Sequence, residues 1–524
     1  MEENTSINAP AGELLHTFLL HWAEITPDST AVLHYDGSGG FESISYRRLR
    51  RQVTEYAAAL DEAGLDVGDR VILESDTSAD GIAMLLACSA LGLTYIPVSS
   101  ETPLDRQYGI MESAEPALYL HAANRPEIEL PAGVNAGRFD RDTLTISGPP
   151  RTRRARWRTP IPTDPAYIVF TSGSTGRPKG VVMSHRGALT FFRGLLARGI
   201  VGPGDRVGST APFQFDFSLL DIALALGSGA TLVPVPRGLL RWPRRFVRFL
   251  RDAEITQLNG VPSVWRPALR HEAKSIAALD RLRGVLYSGE NFPLPELRQL
   301  QDLVPDIRIV NCFGSTESIA SSFSDVPNPL PAEIGKLSIG FAHEGADMLL
   351  IGDDGTPVNT PENIGEIYLR SAALFTCYWD DPEATARALV PDPLNPRSGL
   401  KVYRTGDLGS LGESGEMYFH GRADSQVKIR GNRVELGEVE RRIRDFPSIA
   451  NAAAVVLPVA GQEPALTVFA VLAPGSTLDA AELTAFCRAS LPEYMAPQRI
   501  VAVAELPLNP NGKVDRRALA GLPV

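Results

Sequence analysis

Tyr167-Ile168-Val169-Phe170-Thr171-Ser172-Gly173-Ser174-Thr175-Gly176-Arg177-Pro178-Lys179-Gly180 joins an apolar run to a loop of glycines and hydroxyls closed by a lysine. The apolar run has the length and composition of a buried strand. Glycines let backbone N–H groups converge on an anion, hydroxyls add donors, and the lysine adds charge. The loop is not a Walker A loop, which ends in Gly-Lys-Ser/Thr; here Pro178 precedes Lys179 and Gly180 follows it. A flexible Gly/Ser turn would account for two or three of these residues, but not for so long a stretch abutting a buried strand. The stretch is read as a phosphate-binding loop set on a sheet.

Outward from it, strand-like and helix-like segments alternate. Arg70-Val71-Ile72-Leu73-Glu74 reads as a strand, a helix pattern follows, and Tyr95-Ile96-Pro97-Val98 reads as the next strand. The rhythm recurs at 166–170 and 230–233. Such alternation predicts an α/β fold with largely parallel sheets. The most apolar window, Gly81 to Leu93, has the period of a buried helix and ends at Gly92. Near Gly421–Gly431 the pattern changes to helix (435–445), two strands (452–457 and 466–472) and helix (480–490). About a hundred residues of this kind suffice for a small α+β domain. The expected division is a large N-terminal domain over 1–423 and a small C-terminal domain over 424–524. The Pro- and Arg-rich stretch Gly148–Pro165 reads as a connector, and its basic run Arg151–Arg158 as a solvated loop.

The chain has 524 residues, 44% of them apolar and 22% charged, as in a soluble globular enzyme. A net charge of -11 speaks against general nucleic-acid binding, which needs a basic surface. Four scattered cysteines (Cys88, Cys312, Cys377, Cys487) make no CxxC pair and no zinc spacing, and read as reduced thiols in a cytoplasmic protein. The N-terminus has no basic-then-apolar signal pattern, and no apolar run reaches the roughly 18–20 residues that span a bilayer. Neither a nucleic acid nor a membrane is expected as a partner.

Further motifs stand in order along the chain: Ser45-Tyr46 with Leu49, Asn311-Cys312-Phe313-Gly314-Ser315-Thr316-Glu317, Tyr403-Arg404-Thr405-Gly406-Asp407-Leu408, Gly421-Arg422-Ala423-Asp424-Ser425-Gln426-Val427-Lys428-Ile429-Arg430-Gly431, Leu491-Pro492-Glu493-Tyr494-Met495 and Asn511-Gly512-Lys513-Val514-Asp515-Arg516. With Thr-Ser-Gly-Ser-Thr-Gly-x-Pro-Lys-Gly this series resembles the adenylate-forming superfamily. Within it, the chain looks like a stand-alone adenylation domain of nonribosomal peptide synthesis, similar to D-alanine–carrier protein ligases. The resemblance covers nearly the whole chain.

The resemblance implies ATP and Mg²⁺ as cofactors, and a role for each motif. A carboxylate is a poor electrophile, so it first displaces pyrophosphate from ATP; two anions must approach, and the site must supply positive charge and alignment. By resemblance, Lys513 is the mobile catalytic lysine between carboxylate and nucleotide. Thr171, Ser172, Gly173, Ser174, Thr175, Gly176 and Lys179 cradle phosphates, and Gly289, Phe313, Gly314 and Thr316 complete the nucleotide site. Glu317 holds Mg²⁺. Asp407 fixes the ribose hydroxyls, Arg422 adds a donor nearby, and Phe313 and Phe419 pack on adenine. Asp424 sits at the hinge about which the small domain rotates, and Gly431–Glu438 then faces an incoming phosphopantetheine arm.

Asp216, in Phe215-Asp216-Phe217-Ser218, separates amino-acid from acyl substrates. A substrate ammonium needs a carboxylate partner, because an unpaired charge in a pocket is costly. The family's remaining pocket positions carry over to Phe217, Leu220, Asn259, Leu286, Ser288, Cys312, Ala320 and Ser321. Phe217 and Leu220 are bulky and shorten the cavity, and Asn259 offers one polar handle. The expected substrate is a small amino acid: alanine first, then glycine, serine, threonine or cysteine. One methylene is worth only about 1–3 kcal/mol in such a pocket, so relaxed specificity is compatible with it.

The chain departs from the family pattern at Ala90–Val98, which lacks a common lysine and aspartate, at Ser315, which stands for a proline, and after Gly365-Glu366. None removes a catalytic group. Little sequence follows Lys513, so the expected acceptor is a separate phosphopantetheinyl carrier protein. Arg237–Arg251, where arginines alternate with Trp242, Phe246 and Phe249, reads as an amphipathic surface helix and a candidate docking face for an acidic carrier. The competing readings are an acyl- or aryl-CoA ligase of the same superfamily and an inactive adenylation-like protein that only binds a carrier or nucleotide.

Overall fold

The computed structural model describes residues 14–122, 128–148, 159–173, 178–361, 363–424, 426–459, 464–507 and 514–522. Two compact units emerge. One holds residues 1–100, 114–169 and 181–421; the other holds 101–113, 170–180 and 422–524. The segment carrying the phosphate loop thus clusters with the C-terminal residues. The basic run Arg151–Arg158 lies outside the described residues.

The first sheet explains why the opening stretch is buried. Strand β1 (Arg70–Glu74) pairs in parallel with β2 (Thr94–Val98), and β2 in parallel with β3 (Pro165–Thr171) through Tyr95 opposite Tyr167. Between β1 and β2 runs α1 (Ala79–Leu91), almost every residue of which is buried. Its start is set by Ser78, whose Oγ accepts from the Gly81 N–H, and its end by Gly92 at φ 70°, a left-handed cap that only glycine adopts without strain. Strands with helices on their faces are buried on both sides, so β1 to β3 read as continuous apolar runs rather than alternating ones. Helix α2 (Leu104–Ala114) follows β2, and β4 (Lys179–Ser184) is the next strand beyond β3 in an eight-stranded sheet.

The second sheet carries nine strands. In it β5 (Arg206–Ser209), β6 (Thr231–Pro234), β7 (Gln257–Gly260), β8 (Gly284–Ser288) and β9 (Arg308–Phe313) run parallel, in spatial order β9-β8-β7-β5-β6. Strand β10 (Ser322–Val326) turns back antiparallel on β9. Helix α3 (Asp216–Gly227) leaves the end of β5 and is buried along nearly its whole length. Its apolar side chains share one core with those of α1. Helix α4 (Pro243–Asp252) follows β6; Phe246, Val247, Phe249 and Leu250 are buried while Arg244, Arg245 and Arg248 face solvent, the amphipathic division expected of a surface helix. A smaller sheet includes β11 (Gly365–Ser371) antiparallel to β12 (Lys401–Leu411).

In the second unit, α5 (Leu436–Arg444) and the helix Ala480–Ser490 share a core with the antiparallel strands Ile449–Leu457 and Ala465–Leu472. A short strand, Arg499–Ala502, adds in parallel to the second of these. These elements match the expected helix–strand–strand–helix order, with ends that coincide or shift by at most three residues. No helix among the described residues is long and apolar enough to cross a membrane.

Candidate active site

Parallel α/β sheets expose ligands to the loops beyond the carboxyl ends of their strands. That edge of the second sheet is where the expected pocket residues gather. Asn259 lies opposite Leu286, Ser288 opposite Cys312, and Cys312 opposite Phe323. Leu220, Leu286, Cys312 and Ala320 are buried in one core, with Phe217 packed against it. Ser321 donates its N–H to Phe313 O at 2.7 Å, and its Oγ meets Ser318 Oγ at 3.2 Å.

Asp216 is the first residue of α3, and the capping position belongs to Phe215. It is therefore not the N-cap that a lone aspartate before a helix would usually be. A carboxylate in the first turn lies at the positive end of the helix dipole, which favours its charged form. Half-buried, Asp216 can still meet a ligand.

Asn259 departs from its expected role. Its side chain is fully buried: Nδ2 donates to Asp221 Oδ1 at 2.8 Å, and Oδ1 accepts from Gln257 Nε2 at 2.9 Å. Ser209 Oγ donates to the other oxygen of Asp221. The amide orients this internal network instead of standing as an uncommitted polar handle. Burial pushes the Asp221 carboxyl up to about 7, although Ser209 and Asn259 both favour its charged form. Sequence reasoning does not single out Asp221, yet it is a charge in the buried apolar stretch of α3 beyond its first turn, which is a legible anomaly.

The loop after β9 is tightly wound. A Cβ on Gly314 would lie 2.5 Å from Ala320 Cα and 2.7 Å from Ser321 N, so the loop closes only over glycine. Ile319 has φ 64°, a left-handed conformation rare for a β-branched residue and costing about 1–3 kcal/mol. Ser315, where the family has proline, donates to Tyr403 Oη at 3.3 Å. Glu317 is fully buried and accepts from Tyr378 Oη at 2.8 Å, while its backbone oxygen takes the Phe375 N–H. No cluster of three or more His, Cys, Asp or Glu among the described residues could hold a metal ion. Mg²⁺ is commonly held by one or two carboxylates plus substrate phosphates, so a single buried carboxylate fits that ion.

Phe313 and Phe419 touch each other, with ring centroids 5.3 Å apart, so a flat base could lie against an outer ring face but not between them. Asp407 is buried in β12, where Thr405 Oγ1 accepts its N–H at 3.0 Å and donates to Ile367 O at 2.6 Å. Gly406 adopts φ 75°, and Gly289, after β8, φ 85°. Thr316 is half-buried. Arg422 is engaged bidentately by Asp424, at 2.8 Å for both Nε and Nη2. Burial opposes charge on Asp424, but this fork holds its carboxyl below the usual carboxylate range.

Of the phosphate loop, Thr171 Oγ1 donates to Lys179 O at 3.4 Å, joining its two ends. Ser172 and Gly173 are buried and hydrogen-bonded to the 433–438 segment, the segment expected to face a pantetheine arm. Ser174, Thr175, Gly176 and the catalytic candidate Lys513 lie outside the described residues.

The chain is similar to known proteins over nearly its whole length. A family model described as AMP-binding enzyme matches residues 19–379, and one described as AMP-binding enzyme C-terminal domain matches residues 438–513. An L-proline–[L-prolyl-carrier protein] ligase of Pseudomonas fluorescens is 32% identical over 520 residues, covering 97% of this chain and 99% of that protein. A dimodular nonribosomal peptide synthase of Bacillus subtilis is 32% identical over 504 residues; the match takes in 95% of this chain but 20% of the synthase. The crystal structure of IdnL1 superposes with a TM-score of 0.88 at 60% identity, covering 95% of this chain and 99% of that one.

Proposed function

The chain belongs to the AMP-binding enzyme family and is an AMP-forming ligase that uses ATP; from that premise we propose that it activates a small amino acid as its adenylate and passes the acyl group to a separate phosphopantetheinyl carrier protein. The observation that carries the amino-acid reading is Asp216 in the first turn of α3, half-buried at the carboxyl edge of a parallel sheet.

In the first step a carboxylate oxygen of the amino acid bonds to the α-phosphorus of ATP, and the bond to the pyrophosphate oxygen breaks. Asp216 pairs the ammonium, which fixes the carboxylate's approach. The phosphate loop's N–H groups and Lys179 hold the phosphates, and Asp407 holds the ribose. Mg²⁺ on Glu317 would neutralise phosphate oxygens. Lys513 is the cation proposed to bridge the two approaching anions. In the second step the carrier's thiol attacks the acyl carbon, a thioester forms, and AMP leaves.

Alanine remains the first candidate, because Phe217, Leu220 and Leu286 are bulky at positions that the family pattern assigns to the substrate pocket. The relative named for L-proline makes that compact ring the first alternative. Residues 1–423 and 424–524 are proposed as the two working parts, with Asp424 at their hinge. The direct test of the acceptor is mass spectrometry of a loaded carrier. A mass gain of one aminoacyl group on the carrier's pantetheine arm, with free CoA left unmodified, supports the reading. Acylation of CoA instead hands the chain to the CoA-ligase alternative.

A further inference from the structure

Within the second unit, Arg106 of α2 and Glu438 in the first turn of α5 form an ion pair 2.8 Å apart, their side chains 7% and 5% exposed. The other carboxylate oxygen of Glu438 accepts the N–H of Gly173 at 3.1 Å. Beside it, Ser172 Oγ donates to Arg433 O at 2.9 Å and accepts the N–H of Glu435 at 3.2 Å. Gly173 and Ser172 are donors of the phosphate loop, and two of their groups are here bound to the chain itself.

A first-turn glutamate usually serves its own helix, whose N-terminal amides favour a negative charge. Glu438 instead reaches an amide 265 residues back in the sequence. Taking a carboxylate and a guanidinium out of water is costly unless every remaining polar position is satisfied. Here Arg106 takes one oxygen and Gly173 the other. Carboxylate and phosphate make the same demand on a backbone N–H, and the Gly173 N–H cannot serve both fully at once.

We propose that Glu438, held by Arg106, is a positioning residue that occupies a phosphate donor of the loop and so competes with the polyphosphate of ATP and with pyrophosphate. The proposal rests on the adenylation reading. Its consequence is directional. While Glu438 sits on Gly173, nucleotide affinity is reduced by the fraction of molecules in which the contact is open. By linkage, ATP weakens the contact to the same degree. After pyrophosphate leaves, the contact re-forms and disfavours its return, which favours acyl transfer over reversal.

The test uses the full chain. Glu438→Gln keeps an acceptor for Gly173 but loses the charge. It is expected to lower the dissociation constants for Mg·ATP and for pyrophosphate roughly three- to tenfold. The KM for ATP falls with them more than kcat changes, and transfer slows. Because Arg106 is left unpaired, the double variant Arg106→Gln/Glu438→Gln is measured beside it and is expected to show the same tightening. On the unaltered protein, hydrogen exchange at the Glu435 amide is expected to accelerate when ATP is added. Wild-type affinities in folded variants, or a Glu435 amide indifferent to ATP, would overturn the proposal. An unaltered protein that binds ATP but exchanges pyrophosphate with no carboxylic acid would instead remove the adenylation reading, and the ATP and hydrogen-exchange arms would still judge the contact.

Discussion

Tyr378 donates a hydrogen bond to Glu317 at 2.8 Å, and the carboxylate it orients is fully buried. The residue proposed to meet Mg²⁺ is thus fixed from the strand Cys377–Tyr378, some sixty residues downstream. Glu317→Gln keeps an acceptor for Tyr378 while removing the charge. It is expected to lower the pyrophosphate-exchange rate about a hundredfold at fixed Mg²⁺, with the thermal midpoint little changed. Tyr378→Phe is expected to cost about 1 kcal/mol of stability and to raise the Mg²⁺ needed for half-maximal rate. A Mg²⁺ titration of the exchange rate checks both.

Asp221 makes a prediction of opposite character. Burial raises its folded-state pKa to about 7, above the ordinary aspartate value of 3.8. Between those values the folded chain holds a proton that the unfolded chain has lost, so this group's contribution to stability declines as pH rises through the window, by about 1.4 kcal/mol per unit at most. Asp221→Asn removes the titration and can still serve Asn259 and Ser209. The variant is expected to gain in melting temperature relative to the parent at pH 8, with the gain shrinking toward pH 5. Parallel melting curves across that range decide it.

His185 slopes the other way. Burial, then the neighbouring His16, bring its pKa down to about 4, while Asp164 opposes them. The unfolded chain protonates near 6.5, so the contribution of neutral His185 is complete above that pH and is lost as pH falls toward 4. His185→Gln, which retains an acceptor for the Leu15 N–H, is expected to flatten the acid limb of the denaturation midpoint against pH. Because Asp221 and His185 titrate over overlapping ranges, each variant is compared with the parent pH by pH.

Gly314 is constrained by backbone rather than by a flexible neighbour, with Ala320 Cα 2.5 Å from where its Cβ would be. Gly314→Ala forces the loop carrying Thr316 and Glu317 to move. A loss of more than about tenfold in kcat/KM, with far-ultraviolet circular dichroism unchanged, is the expected outcome.

The sequence was most readable where a local pattern carries the physics. Gly92 closing an apolar helix, the loop of glycines and hydroxyls after an apolar strand, and the change of rhythm after Gly421 each stand within a few residues. The roles proposed for Asp216, Glu317 and Asp407 rest on their motifs. What was hidden depends on contacts between distant segments. Asn259 looked like a pocket handle because nothing local shows Asp221 reaching it from 38 residues away. Arg106 and Glu438 are separated by 332 residues, and no pattern along the chain pairs them. The left-handed Ile319 is a product of loop closure, which side-chain identity alone argues against.

The central claim is that this family member adenylates an amino acid and that Asp216 is what makes the acid an amino acid. The most direct test is exchange of labelled pyrophosphate into ATP across a panel of small and cyclic amino acids and simple carboxylic acids, with Asp216→Ala and Lys513→Ala measured beside the parent. The account predicts exchange with a compact amino acid, abolished or reduced at least a hundredfold in both variants. Exchange that occurs only with acids lacking an amino group, or that survives in Asp216→Ala, would contradict it.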